Sequence, residues 1–174
     1  MMHIRKATIS DAPAIAKISV ETWRTAYQGI VPQKFLDLLS YENRARRWAQ
    51  LLTEELTFTY VAETESGEVV GFANGCEERT KHPVYKGELA AVYVLNEYQG
   101  QGIGQALVKA IAQTLLDLNY SSMLVWVLKE NPYRKFYEAI AGQPVAEQAI
   151  EIGGVSLTEI AYGWTDLNAL RSIL

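Results

Sequence analysis

Residues 97–107 read EYQGQGIGQAL, with Gly100, Gly102 and Gly104 separated by single residues. Glycine at every second position suits neither a helix nor a strand, because each one loses conformational entropy and offers no side chain to pack. The stretch follows GELAAVYV (87–94), a nearly continuous apolar run of the kind found in strands covered on both faces. After it, Ile103, Ala106, Leu107, Ala110, Ile111, Thr114, Leu115 and Leu118 fall at helical spacing, with Gln105, Lys109, Gln113 and Asp117 opposite. A buried strand, a glycine loop and a helix start in succession present free backbone N–H groups and the positive end of a dipole. The pattern predicts an anion seat, with phosphate the expected anion. A flexible, capped turn is the plainer alternative. The spacing G-x-G-x-G fails both the P-loop, which needs a terminal Gly-Lys-Ser/Thr, and the dinucleotide fingerprint G-x-G-x-x-G.

The rest of the chain frames this unit. A strand is expected at His3–Ala7, and Asp11 followed by Ala12-Pro13 reads as the cap of a helix running to about Tyr27. Short helices follow at Gln33–Leu39 and, capped by Ser40, to about Leu52. FTYVAET and EVVGFANGCEE flank Ser66-Gly67 as a hairpin, SSMLVWVL reads as a buried strand, and Asn131-Pro132 starts another helix. QPVAEQAIEI and VSLTEIAYGW around Gly153-Gly154 form a last hairpin. The link from 87–94 through a helix to 122–128 requires a parallel pairing, whereas the other links are hairpin-like. The expectation is an α/β (α+β) chain, one domain over 1–174. Its mixed, mostly antiparallel sheet has about seven strands flanked by helices, with a parallel central strand–helix–strand unit.

Composition narrows the function classes. The 174 residues carry a net charge of −4, with no basic block of the kind that binds nucleic acid. The lone Cys76 forbids an internal disulfide and a multi-cysteine metal site. No apolar run reaches membrane-spanning length, and the N-terminus lacks the apolar core of a signal peptide. A cytoplasmic protein with no nucleic-acid, membrane or metal partner is expected.

Gln99-Gly100-Gln101-Gly102-Ile103-Gly104 resembles the Q/R-x-x-G-x-G/A signature of the GCN5-related N-acetyltransferase (GNAT) superfamily, and VLKENPYRKFYE resembles its second motif, an Asn before a helix carrying Phe-Tyr. The close match covers Glu88 to about Ile140. Two departures stand out: Gln99 replaces the common Arg, and Ala141-Gly142-Gln143 replaces the usual Gly-Phe after the second motif. The resemblance implies a GNAT-like fold and acetyl-CoA as acetyl donor, without metal. It implies that Gln99, Gly100, Gln101, Gly102, Ile103 and Gly104 hold the pyrophosphate and that backbone groups of Tyr93 and Val94 pair with the pantetheine arm. Asn131, otherwise a helix cap, becomes a cofactor contact, and Arg134 a candidate partner of the phosphates.

The implied reaction sets its own demands. An alkylamine with a pKa near 10.4 is almost wholly protonated at pH 7, a handicap of about 4–5 kcal/mol. Transfer needs a route for that proton, a stabilised oxyanion and a proton for the departing thiolate. Glu88 is the only acid on the buried strand, and alternation places it on one face with Ala90, Val92 and Val94. It resembles the strand glutamate acting as base in the histone-acetylating branch; a strand-start residue facing solvent is the alternative. Tyr137 shares a helical face with Tyr133, Phe136 and Ile140 and is the candidate acid, against a purely core aromatic. Trp23 and Tyr27 lie off the main apolar stripe of their helix, lining the acceptor pocket or buried under a neighbour. Glu77, with Glu21 and Glu78, is a candidate holder of a cationic amine. Cys76 reads as a passive thiol. The expected activity is acetyl transfer to a primary amine of a small molecule or peptide, by direct attack in a ternary complex. A non-catalytic acyl-CoA-binding sensor of the same fold is the alternative. The LNALRSIL tail is a candidate homodimer contact.

Overall fold

The computed structural model describes all 174 residues. Seven strands are present: β1 (His3–Lys6), β2 (Thr57–Glu63), β3 (Val69–Glu77), β4 (Gly87–Val94), β5 (Met123–Leu128), β6 (Gln143–Ile152) and β7 (Val155–Trp164). They form one sheet in the order β1-β2-β3-β4-β5-β7-β6. Every neighbouring pair is antiparallel except β4 and β5, the parallel pair expected from the crossover. The helices are α1 (Ala12–Ala26), α2 (Gln33–Asp37), α3 (Tyr41–Leu51), α4 (Ile103–Asp117), α5 (Lys135–Ala139) and α6 (Leu167–Ile173).

The sheet separates two layers. On one face α4 lies so close that a Cβ on Gly75 would stand 2.8 Å from Ile111, and one on Gly87 2.7 Å from Leu115. Leu107, Ile111 and Leu115 of α4 are fully buried in one cluster with Val61, Ala73, Leu89 and Met123. Each such side chain contributes roughly 1.5–3 kcal/mol on burial. On the other face α1 packs beside α3, and Trp48 of α3 meets Phe72 of β3 edge-on at 5.1 Å. A second, smaller core joins Ala26, Tyr27, Val31 and Leu36 to Leu128 and Ile152, bringing the tip of the β6–β7 hairpin over the α1–α2 segment. Gly153 at that tip leaves no room for a Cβ beyond 3.0 Å from Phe35.

Two local expectations are revised, and the C-terminal tail gains a defined place. Asp11 does not cap α1: its carboxylate turns back to accept from the Thr8 N–H at 2.8 Å and from Arg5, closing a short 3-10 turn (Ile9–Asp11) ahead of the helix. Asn131 does cap, its Oδ1 accepting from the Tyr133 N–H at 2.9 Å, but the first turn is 3-10 (Pro132–Arg134) before α5 begins. The C-terminal tail forms α6, capped by Asp166, and packs on α4 of its own chain, with Leu167 and Leu170 buried.

Candidate active site

β4 and β5 pair only at Gly87–Met123 and Glu88–Leu124, at the start of both strands. Beyond those positions they separate, and a cavity of about 510 Å³ opens between Ala90–Val94 and Val125–Val127. The separation coincides with a bulge in β4. Asn74 pairs with Ala91 and Gly75 with Leu89, so Ala90 is an extra residue. An extra residue inverts the alternation that follows it. Gly87, Leu89, Val92 and Val94 therefore face α4, whereas Glu88, Ala91 and Tyr93 face α1 and α3. Glu88 does not share a face with Val92 and Val94.

Glu88 also lies outside the cavity. It sits where the strands still pair, 2 % exposed, and receives both Nε and Nη2 of Arg79 at 2.9 Å and the Arg79 backbone N–H at 3.3 Å. Its carboxylate is committed to that fork, which corrects the expectation of a base on the reaction path. Cys76 is buried beside it, 3.9 Å from Glu88 Oε2; burial and the neighbouring carboxylate push its thiol up to about 11, so it stays protonated and inert.

The bulge decides which backbone groups look into the split. Leu95 donates its N–H to Val70, so by antiparallel parity Tyr93 exchanges its bonds with Phe72. The N–H and C=O of Val92 and Val94 then point away from β3, toward the cavity. The Val94 carbonyl accepts from Gln99 Nε2 at 3.0 Å, in keeping with that direction. The residue expected to offer its backbone was Tyr93; Val92 takes that place, and Tyr93 contributes its side chain.

At the wide end of the split stands the glycine loop. Gly100 and Gly102 have φ of +73° and +81°, a left-handed backbone that other residues adopt only with strain, and a Cβ on either would meet nothing within 4 Å. The backbone N–H groups of residues 100–105 find no acceptor within the protein. Gly104 matters for packing instead. A Cβ there would stand 3.2 Å from the Phe136 ring, so its absence lets α5 dock on the first turn of α4. Gln99, Gly100, Gly102, Ile103 and Gly104 line the cavity; Gln101 does not, its amide donating to the Glu97 carbonyl.

Docking α5 in this way brings Tyr137 to the cavity wall. Its ring is held between Tyr162 (5.9 Å, stacked), Phe136 (5.4 Å) and Trp164 (6.4 Å). Trp164 Nε1 fastens the end of the helix by donating to the Ile140 carbonyl at 2.8 Å. The Ala141-Gly142 departure fits here: Ala141 takes φ +64°, and a Cβ on Gly142 would overlap the Tyr137 carbonyl and the Trp164 ring. The Tyr137 hydroxyl has no hydrogen-bond partner in the protein. Burial, and then the nearby Tyr93, push its pKa well above that of a free phenol, so it remains a proton donor.

The remaining candidates divide. Asn131 lines the cavity and donates from Nδ2 to Tyr27 Oη at 3.4 Å while capping its own turn. Tyr27 also lines it, whereas Trp23 stands behind, edge-on to Tyr27 at 4.7 Å and donating from Nε1 to Tyr93 Oη at 3.3 Å. Arg134 points to the Tyr162 hydroxyl at 3.5 Å rather than into the cavity. Glu77 is exposed at the end of β3, and Glu78 is occupied by Thr80 and by the His82 N–H. Glu21 lies with Glu97 and Arg24 in a smaller adjoining cleft. Sequence reasoning missed Val92 and Trp126, which line the split, and the only signal for them was their place on strands that turn out to diverge.

Residues 18–142 match the Acetyltransferase (GNAT) family. The chain belongs to that family. It is 41% identical over 174 residues to the uncharacterized N-acetyltransferase YuaI of Bacillus subtilis, covering 100% of this chain and 99% of that protein. A ribosomal-protein-alanine N-acetyltransferase from Brucella melitensis has a similar structure, with a TM-score of 0.72 at 21% identity over 93% of this chain and 98% of that one. PaiA N-acetyltransferase from Thermoplasma acidophilum, solved with coenzyme A, aligns with a TM-score of 0.64 at 19% identity over 92% of this chain and 98% of that one. Membership of the GNAT family makes this chain an acetyl-transferring enzyme. No group of His, Cys, Asp or Glu side chains is arranged to hold a metal ion, and no helix is long and apolar enough to cross a membrane.

Proposed function

We propose that this enzyme moves an acetyl group from acetyl-CoA to a primary amine by direct attack in a ternary complex. The observation that carries the reading is the continuity of the β4–β5 split, which runs from unpaired N–H groups at residues 100–105 to the unpaired Tyr137 hydroxyl. The loop fits a pyrophosphate: open space above Gly100 and Gly102, free donors, and the start of a fifteen-residue helix. Val92 and Val94 offer strand-like backbone groups to the amides of a pantetheine arm, and a backbone N–H at this edge is available to the developing oxyanion. Tyr137 donates its hydroxyl proton to the sulfur as the C–S bond breaks, and regains one from the nitrogen that has formed the C–N bond. Atoms and charge then balance as amide plus thiol. Coenzyme A in the PaiA structure supports the choice of donor.

The test is thiol release from acetyl-CoA over a panel of primary amines. Amine-dependent release supports the transferase. Acetyl-CoA binding without release for any amine would leave the acyl-CoA-binding module as the better description.

A further inference from the structure

The walls of the cavity contain no aspartate, glutamate, histidine, lysine or arginine; apart from tyrosine, nothing in them titrates. An ammonium group brought here would lose its hydration with no carboxylate to replace it. Resting on the transferase reading above, we infer that the acceptor of this enzyme is an amine uncharged on entry, an α-amine or an arylamine rather than a lysine-type or polyamine nitrogen.

A second observation carries the same conclusion independently. Arg44 of α3 is part-buried beside Trp23 with no carboxylate partner, bonded only to Ser19 Oγ at 3.1 Å. Its guanidinium stands 5.4 Å over the Trp23 ring, and Trp23 in turn donates to Tyr93. An unpaired positive charge thus stands one ring behind the cavity wall, where it disfavours a second cation inside.

The other charged groups around the site do not alter this balance. From the β3–β4 connection, Arg79 and Glu88 neutralise each other outside the cavity. From the α5 side, Glu138 and Arg134 are both directed to the Tyr162 hydroxyl. On α1, Glu21 and Arg24 face the adjoining cleft together with Glu97, beside Val94 and Gln99 at the loop end of the split. Of the five tyrosines lining the cavity, Tyr27, Tyr93 and Tyr137 have pKa values raised first by burial and Tyr98 by the neighbouring Glu68, so none of these four serves as a base near neutrality. Deprotonation of the acceptor therefore belongs to bulk water, before binding. The amine presents its lone pair to the thioester carbon, and the proton it loses afterwards replaces the one Tyr137 gives to sulfur.

The experiment compares L-phenylalaninamide, an α-amine, with phenethylamine, an alkylamine of similar shape, on the wild-type enzyme from pH 6 to 10. Acetyl-CoA binding is measured separately. With α-amine and alkylamine pKa values near 8 and 10.4, the neutral fractions at pH 7 differ roughly 200-fold. The expected result is a kcat/KM ratio of that order at pH 7. Log kcat/KM should rise with unit slope and level off at each acceptor's own pKa. A break at one shared pH for both acceptors, or equal kcat/KM at pH 7, would place a base on the enzyme and overturn the inference. If acetyl-CoA binds yet neither amine reacts at any pH, the acceptor class is wrong while the donor site stands. If acetyl-CoA itself fails to bind, the transferase reading falls and the inference falls with it.

Discussion

Tyr137 and Glu88 are both buried, yet the tyrosine hydroxyl is unpaired at a cavity and the carboxylate is locked in a fork with Arg79. For Tyr137→Phe, which removes the donor and keeps the packed ring, kcat is expected to fall about 100-fold while acetyl-CoA affinity changes little. Steady-state rates beside a binding titration check this; an unchanged kcat would take Tyr137 out of the mechanism. The Glu88–Arg79 pair should act on stability instead. Removing Arg79 strands a carboxylate that is 2 % exposed, whereas removing Glu88 leaves a guanidinium already 66% exposed. Arg79→Ala should thus cost about 2–3 kcal/mol, below the roughly 3–5 of a fully buried pair because solvent screens the arginine, and Glu88→Gln less. Urea melts of the two variants give the comparison, and kcat of Glu88→Gln should stay within a few-fold of wild type. The tyrosine was legible from its place in a Phe-Tyr motif. The fate of Glu88 was not, because its partner comes from a loop nine residues earlier and its face is set by a bulge that no pattern of apolar residues announces.

At the level of elements, the glycine loop, α4 and α5 form one device. Gly102 starts the helix in a left-handed turn, Gly104 admits the Phe136 ring, and Phe136 fixes the helix that presents Tyr137. Gly104→Ala places a Cβ 3.2 Å from that ring, so the α5 contact must yield. The expected result is a loss of about 1 kcal/mol in stability with a fall in kcat, read from thermal melts and thiol release. A kcat equal to wild type would separate the packing of α5 from the chemistry. The strand and helix order was readable from apolar runs bounded by turn residues and from the helical spacing of α4. What period could not supply was the divergence of β4 and β5 after two paired positions, which creates the cavity, or the bulge that turns the backbone of Val92 rather than Tyr93 toward it. Nor could it show that the tail forms a helix packed on α4.

For the whole molecule, the N-terminal strand is tied to the rest by charge. Arg5 bridges Asp11 at 2.8 Å and also reaches Glu63, linking β1, the turn before α1 and β2. Arg5 is the first cause of a lowered Asp11 pKa, with the Thr8 N–H adding to it. A carboxylate lowered on folding contributes stability that is present above its unfolded value, near 3.8, and lost as pH falls through the folded value. Acid unfolding below about pH 4 should therefore be shallower in Arg5→Ala than in wild type, with about 1–3 kcal/mol lost at pH 7; urea midpoints from pH 7 to pH 3 measure both. In the proposed function, sheet, loop and helix together make a seat for the phosphates of acetyl-CoA. The decisive measurement is a calorimetric titration of acetyl-CoA into wild type and Gly102→Val. Saturable binding to wild type is expected, with its loss in a variant that still melts cooperatively, whereas equal affinity in the two would overturn the phosphate seat.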